Sequence, residues 1–369
     1  MRRFGLVFLI LAAAAGAATA AAAASGSSSD PTPSLEYRPQ RVVIPEPKAP
    51  HPLPPKTVFA EAIGSFGLLT GSFDGPVDVA RDERSSDFYV LDAGNSRVQK
   101  FDNRSNFKFS WGQQGIREGT FGKRDGSEFR YPTAIAMGPY RPLDPSGEKS
   151  FVYVVDTGND RIQIFDKEGQ FVRSWGSRGS TDSRDLDRSY FRAPRDITFD
   201  KNGFIWVLDS GNERVQIFDS SFVFQMKWDR AYGVNEGNFT DLKSIAWSDE
   251  RTGYIYLFGA GCVVQQFKLK GPYGVLDGTL VHSWPAIAPE SGLCVPARIE
   301  VDEKYNYLYV LDSGNSKLSC YNPDGLYRWT LGGAQLPFSK PLGFAVNRDG
   351  EELLVADTEN NMVQKFTLR

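Results

Sequence analysis

From residue 57 onward the chain alternates short apolar runs with turn residues, and the runs return in a fixed order. A Phe-x-x-Pro lead-in comes first: FDGP at 73–76, FRYP at 129–132, FRAP at 191–194 and FSKP at 338–341, with LCVP at 293–296 and a degraded FTDL at 239–242. A short apolar stretch follows, then a second that runs into Asp-x-Gly-Asn, then an Arg-Val-Gln-x-Phe stretch. The middle of the unit recurs as VLDAGNSRVQKFD at 90–102, VVDTGNDRIQIFD at 154–166, VLDSGNERVQIFD at 207–219, VLDSGNSKLSCYN at 310–322 and VADTENNMVQKFT at 355–367. A fourth stretch ends in an aromatic, as in FKFSWG at 107–112 and FVRSWG at 171–176. Runs of this length that alternate between turn residues read as strands, four to a unit.

Six such units, each too small to bury its own faces, predict an all-β fold: a six-bladed β-propeller of four-stranded antiparallel blades. The unit at 239–284 keeps its strands but loses the polar turn, with Phe258 at the Asp position. The sixth unit lacks an outer strand. FAEAIG at 59–64 matches FVRSWG at 171–176, so the N-terminal strand is expected to complete the last blade and close the ring. A phrase repeated in every unit suits structure better than catalysis. Asp92 and Asn95, Asp156 and Asn159, Asp209 and Asn212, Asp312 and Asn315, and Asp357 and Asn360 are therefore read as turn residues. In that reading Asp accepts from its own turn's N–H groups, and Gly or Asn supplies a positive φ.

The first 56 residues differ in kind. Residues 1–24 carry Arg2 and Arg3, an apolar run from Phe4 to Ala15, and Ala18-Thr19-Ala20. This is the pattern of a cleaved export signal, the alternative being an uncleaved membrane anchor. Residues 25–56 are rich in Pro and Ser and read as a disordered spacer. The propeller occupies 57–369. A net charge of −3 gives no broad positive field to attract nucleic acid. The expected protein is secreted, periplasmic or extracellular, monomeric, and without a membrane span if the signal is removed.

The unit resembles the NHL repeat, in which a Pro-led strand precedes a VaDsgNnRvqvF-like phrase. The resemblance covers roughly 57–369 and is good in five copies. It implies a fold similar to that of gluconolactonases, strictosidine synthase and the peptidyl-hydroxyglycine amidating lyase, families of unlike activity. The lyase family holds zinc through three histidines, some just after the lead-in Pro. Here the six such positions are Val77, Thr133, Arg195, Lys243, Ala297 and Leu342, and the chain has only His51 and His282. Neither a three-histidine zinc site nor a Ser-His-Asp triad can be assembled. No metal, cofactor or catalytic residue is assigned.

The candidate ligand-binding residues lie on the first strand of each unit, two and four positions after the lead-in Pro. Those pairs are Asp78/Ala80, Ala134/Ala136, Asp196/Thr198, Ser244/Ala246, Arg298/Glu300 and Gly343/Ala345. Glu300 interrupts a series of small residues. It can serve with Asp78 and Asp196 as base or cation ligand in a channel hydrolase or lyase, or simply be neutralised by Arg298. Long charged loops at 113–128 and 177–189 point instead to a non-enzymatic module that holds a protein, peptide or glycan on the loop-bearing face. Of three cysteines, Cys262 and Cys294 are the pair expected to bridge, with Cys320 a packed thiol and three free thiols the alternative.

Overall fold

A computed structural model describes residues 57–122, 131–139, 149–179, 190–229, 237, 239–248, 253–270, 277–286, 294–332 and 338–368. The leader, the spacer, Phe129 and Arg130 of the second lead-in and the loop residues 123–128 and 180–189 lie outside them.

Six four-stranded antiparallel sheets form the blades. Blade one is Pro76–Arg81, Phe88–Asp92, Arg97–Phe101 and Phe107–Trp111; blade two is Ala134–Pro139, Ser150–Asp156, Arg161–Phe165 and Phe171–Trp175. Blade three is Asp196–Phe199, Ile205–Asp209, Arg214–Phe218 and Phe224–Trp228; blade four is Ser244–Ser248, Tyr254–Gly259, Val263–Lys270 and Asp277–Pro285. Blade five is Pro296–Val301, Leu308–Asp312, Lys317–Tyr321 and Tyr327–Gly332. Blade six is Gly343–Val346, Glu352–Asp357 and Met362–Leu368, completed by Thr57–Ile63. The first strand of each blade neighbours the first strands of the blades on either side, so the ring is closed around an axis.

The N-terminal strand pairs antiparallel with the last strand, from Thr57 opposite Leu368 to Ile63 opposite Val363. Phe59 lies edge-on to Phe366 with centroids 5.7 Å apart, as Phe171 lies on Phe165 at 5.9 Å. Two strands about 300 positions apart in sequence thus share one blade, which closes the ring by strand pairing.

The core sits between blades. Each of six buried apolar clusters is shared by two neighbours, for example Tyr153, Val155 and Trp175 of blade two with Ile197, Val207 and Phe218 of blade three. The aromatic that ends an outer strand packs on the aromatic of the next blade's third strand. Trp111 meets Phe165 at 5.7 Å, Trp175 meets Phe218 at 4.6 Å, Trp228 meets Phe267 at 5.8 Å and Trp284 meets Tyr321 at 6.4 Å. Two recurring sequence features are therefore one contact.

Candidate functional site

The repeated phrase does more than turn the chain. The Asp156 carboxylate is fully buried and accepts from the Gly122 N–H at 2.8 Å, Asn159 Nδ2 at 2.8 Å, Arg161 Nε at 2.9 Å and Gln163 Nε2 at 3.1 Å. The rest of the Arg161 guanidinium donates to the carbonyls of Ile116, Arg117 and Thr120, while Gln163 Nε2 also donates to Thr120 and Asn159 to Gly115. Blade one repeats the set with Asp92, Asn95, Arg97 and Gln99 holding residues 67–74, and blade three with Asp209, Asn212, Arg214 and Gln216. Each phrase clamps the loop that leads into its own blade. Burial pushes the Asp92, Asp156 and Asp209 carboxyls up, and the hydrogen bonds and arginines offset only part of that.

Three sequence expectations are corrected here. The aspartate's first partner is the lead-in N–H, such as Asp74 for Asp92 and Ser339 for Asp357, rather than its own turn. Asp312 also takes a turn N–H, from Asn315. The phrase glycine is needed for close approach: a Cβ on Gly94 would lie 2.2 Å from the Asp74 carbonyl oxygen, and one on Gly211 2.4 Å from that of Arg192. Positive φ falls instead on the residue after Asn, near 50° at Ser96, Asp160, Glu213, Ser316 and Asn361, while in blade four both Gly261, in the Asn place, and Cys262 carry it. Finally, the lead-in Phe of blade two is Phe121, not Phe129. Phe121 bridges to Gln114 as Phe73 does to Phe66, and Gly122 feeds Asp156 as Asp74 feeds Asp92. The residues between Gly122 and Pro132 are an insertion that disguised the register.

That positive-φ position reaches across to the next blade. The Asp160 carboxylate accepts from Ala193 N at 2.7 Å, Ser316 Oγ from Lys340 N at 3.3 Å, and Asn361 Oδ1 from Gly75 N at 2.8 Å. In blade four the residue is Cys262, which is disulfide-bonded to Cys294 in the lead-in of blade five with Cα atoms 6.1 Å apart. Cys294 fills the place of a lead-in Phe, since the next residue, Val295, donates to Asp312. Cys320 is a buried thiol whose pKa burial raises.

On the axis the candidate channel residues meet, in a different pairing from that expected. The Arg298 guanidinium sits between Asp78 and Asp196, at 3.1 and 3.0 Å, so it does not neutralise Glu300 as a private partner. Each carboxylate also accepts an N–H from the exposed edge of the next blade's first strand: Ile135 for Asp78, Ile245 for Asp196 and Val346 for Glu300. Ser244 donates to Asp196 and accepts from Ile299 N, continuing the pattern. Side chains thereby satisfy strand edges that would otherwise face the axis unpaired. Burial pushes Asp78 up to about 7 against the pull of Arg298, and Glu300 up to about 8. The Arg298 pKa is held above its ordinary value by the acids around it. Among the described residues, Asp78, Asp196 and Glu300 do not converge into a metal-holding group; the cation position between the two aspartates is filled by Arg298.

Two surfaces follow from this frame. An axial cavity of about 470 Å³ is ringed by Ala80, Ala136, Thr198, Ala246, Glu300 and Ala345. Its other walls come from hairpins between first and second strands, so it opens on the face opposite the clamped loops. The clamped loops carry Phe66, Leu68, Leu69 and Ile116, each between 72% and 83% exposed. The sequence pointed to the charge of the 113–128 loop and not to its apolar tip or to the 65–73 loop; the parallel between SFGLLTGSF at 65–73 and QQGIREGTF at 113–121 is the signal that links them.

Comparison with known proteins agrees with the fold. The NHL repeat family model matches residues 191–218 and 338–366. The chain is similar to the protein brain tumor of Drosophila melanogaster, 31% identical over 166 residues, which is 45% of this chain and 13% of that protein. It is also similar to NHL repeat-containing protein 2 of Bos taurus, 22% identical over 358 residues, covering 80% of this chain and 46% of that one. It thus spans less than half the length of either relative. A solved gluconolactonase from Xanthomonas campestris superposes with a TM-score of 0.53 over 88% of this chain and 99% of that one at 12% identity, a likeness of fold alone. The chain thus carries NHL repeats, at 191–218 and 338–366, and its repeating units are the blades of a six-bladed β-propeller.

Proposed function

We propose that this propeller is a non-enzymatic binding module that holds a protein or peptide on its clamped-loop face. The observation that carries this reading is the set of apolar tips, Phe66, Leu68, Leu69 and Ile116, presented to solvent on loops fixed by Arg97, Gln99, Arg161 and Gln163. Exposed apolar groups cost little to desolvate, and loops already ordered lose little entropy on association. Apolar tips of which three, Leu68, Leu69 and Ile116, are aliphatic suit a protein or peptide better than a glycan. Export to an oxidising compartment belongs to the same proposal and is supported by the Cys262–Cys294 bridge. A channel hydrolase or lyase has less support, because Asp78 and Asp196 are both engaged by Arg298. The test replaces all four tips with Ser in the full chain and compares capture from the native extracellular medium. The variant should keep its melting temperature and lose the captured partner; capture that survives would move the site off this face.

A further inference from the structure

The axial cavity faces away from the clamped loops, and its electrostatics are lopsided. The arginines that line it are committed elsewhere: Arg81 to Glu352, Arg348 to Glu303, and Arg298 to Asp78 and Asp196. Lys201 is engaged as well. Four lining carboxylates, in contrast, accept from neutral donors alone among the described residues. Glu300 takes Val346 N, Glu83 takes Arg348 N, Asp302 takes Tyr305 N, and Asp200 takes Asn202 N, Phe204 N and Trp206 Nε1. All four are shifted upward, burial being the largest cause. Trp247 and Phe199 add aromatic surface to the wall.

We propose that this cavity captures a primary ammonium group, with the Glu300 carboxylate as counter-ion and Trp247 and Phe199 as its aromatic walls. The ring of small residues around Glu300 leaves room for an alkyl stem, and a desolvated ammonium gains from both a carboxylate and π faces. Charged groups facing Glu300 are Arg298 on its own strand, Asp78 and Glu83 of blade one and, from the cavity rim, Arg348 of blade six. An entering ammonium therefore displaces the Glu300 proton rather than competing with a resident cation. A small free amine and a lysine side chain of a peptide share this chemistry. The proposal does not depend on the clamped-loop reading, and loss of partner capture there leaves it standing.

The test is calorimetric titration of the full chain with n-pentylamine, with Nα-acetyl-lysine N-methylamide, and with the norleucine analogue of the latter. At least one ammonium probe should bind and the norleucine analogue should not. Binding of pentylamine alone assigns a small amine, and binding of the lysine amide assigns a peptide side chain. Glu300→Gln should weaken binding by about tenfold or more. Affinity should rise as pH passes about 8, where Glu300 ionises. It should then fall only as the amine itself loses its proton near about 10.4. Thr198→Phe, which fills the ring on another blade, should block binding while a thermal melt reports it folded. Equal binding of the norleucine analogue, no binding by either ammonium probe, or unchanged affinity in both folded variants would overturn the proposal.

Discussion

Blade two keeps the whole phrase and blade four has lost it, yet both close into the same four strands. In blade two a buried carboxylate, Asp156, gathers four donors, and Asp160 ties the turn to blade three by a hydrogen bond. In blade four Phe258 and Gly259 stand where the phrase begins, and Cys262 ties its turn to blade five by a covalent bond. Polar satisfaction and a disulfide are two answers to one requirement, that a turn stay attached to its neighbour. The first depends on every partner being present. The second works in any polarity but needs an oxidising environment.

The sharpest way to break blade two is Asp156→Ala, which strands a buried Arg161 together with Gln163. We expect a loss of about 3–5 kcal/mol, read as a lower midpoint in urea unfolding. Blade four should yield less. Breaking Cys262–Cys294 releases a loop of sequence separation 32 and should cost about 2–4 kcal/mol. Here Cys262→Ser and Cys262→Ala should cost about the same, because Pro296, which stands in the lead-in of blade five where blade six has Lys340, the donor to Ser316, has no N–H to offer a serine. A midpoint unchanged by either substitution would mean that the covalent staple is idle.

Blade five offers a finer comparison. Asp312 accepts from Val295 N and Asn315 but has Lys317 and Ser319 where blades one, two and three have Arg and Gln. Asp312→Ala should therefore cost roughly 1–2 kcal/mol less than Asp156→Ala in the same titration. Equal losses would show that the lead-in bond, common to both, carries the whole effect.

A separate effect is that of pH, which acts on the axis rather than on the clamps. Folding raises Asp78 to about 7 and Glu300 to about 8, so the folded protein holds their protons more tightly than the unfolded chain does. For a raised acid, stability is full below the ordinary value of about 4 and is lost as pH climbs towards the folded value. The melting temperature should thus fall between about pH 5 and 8, with exchange of backbone amides rising first in the inner strands of blades one and five. The inner strand of blade four, where Ser244 stands in the channel position, should change least. Asp78→Asn with Glu300→Gln should flatten the slope, and a slope unaltered by the pair would assign it to other acids.

Much of this was legible in the sequence. The six units, the four strands in each, and the closure by FAEAIG follow from period-two patterning and from the match of Phe59 and Ile63 to Phe171 and Trp175. These are local signals, because a strand's buried faces and its turn residues are written in order along the chain. The pairing on the axis was not legible. Arg298 and Glu300 share one side of one strand, and proximity in sequence suggested a pair. Closing the ring brought Asp78 and Asp196, each about 100 residues or more away in sequence, within reach of that guanidinium.

The same division runs through the phrase itself. Its recurrence, by itself, determined that the chain is built of like blades. That its aspartate serves the lead-in loop, that its glycine makes room for another backbone, and that Cys262 takes the position of a hydrogen-bonding residue were decided by tertiary structure. Periodicity records which residues face a neighbour, but the neighbour is chosen only when the ring closes. Burial then fixes which charges are partnered and which, like Glu300, are left short of a cation.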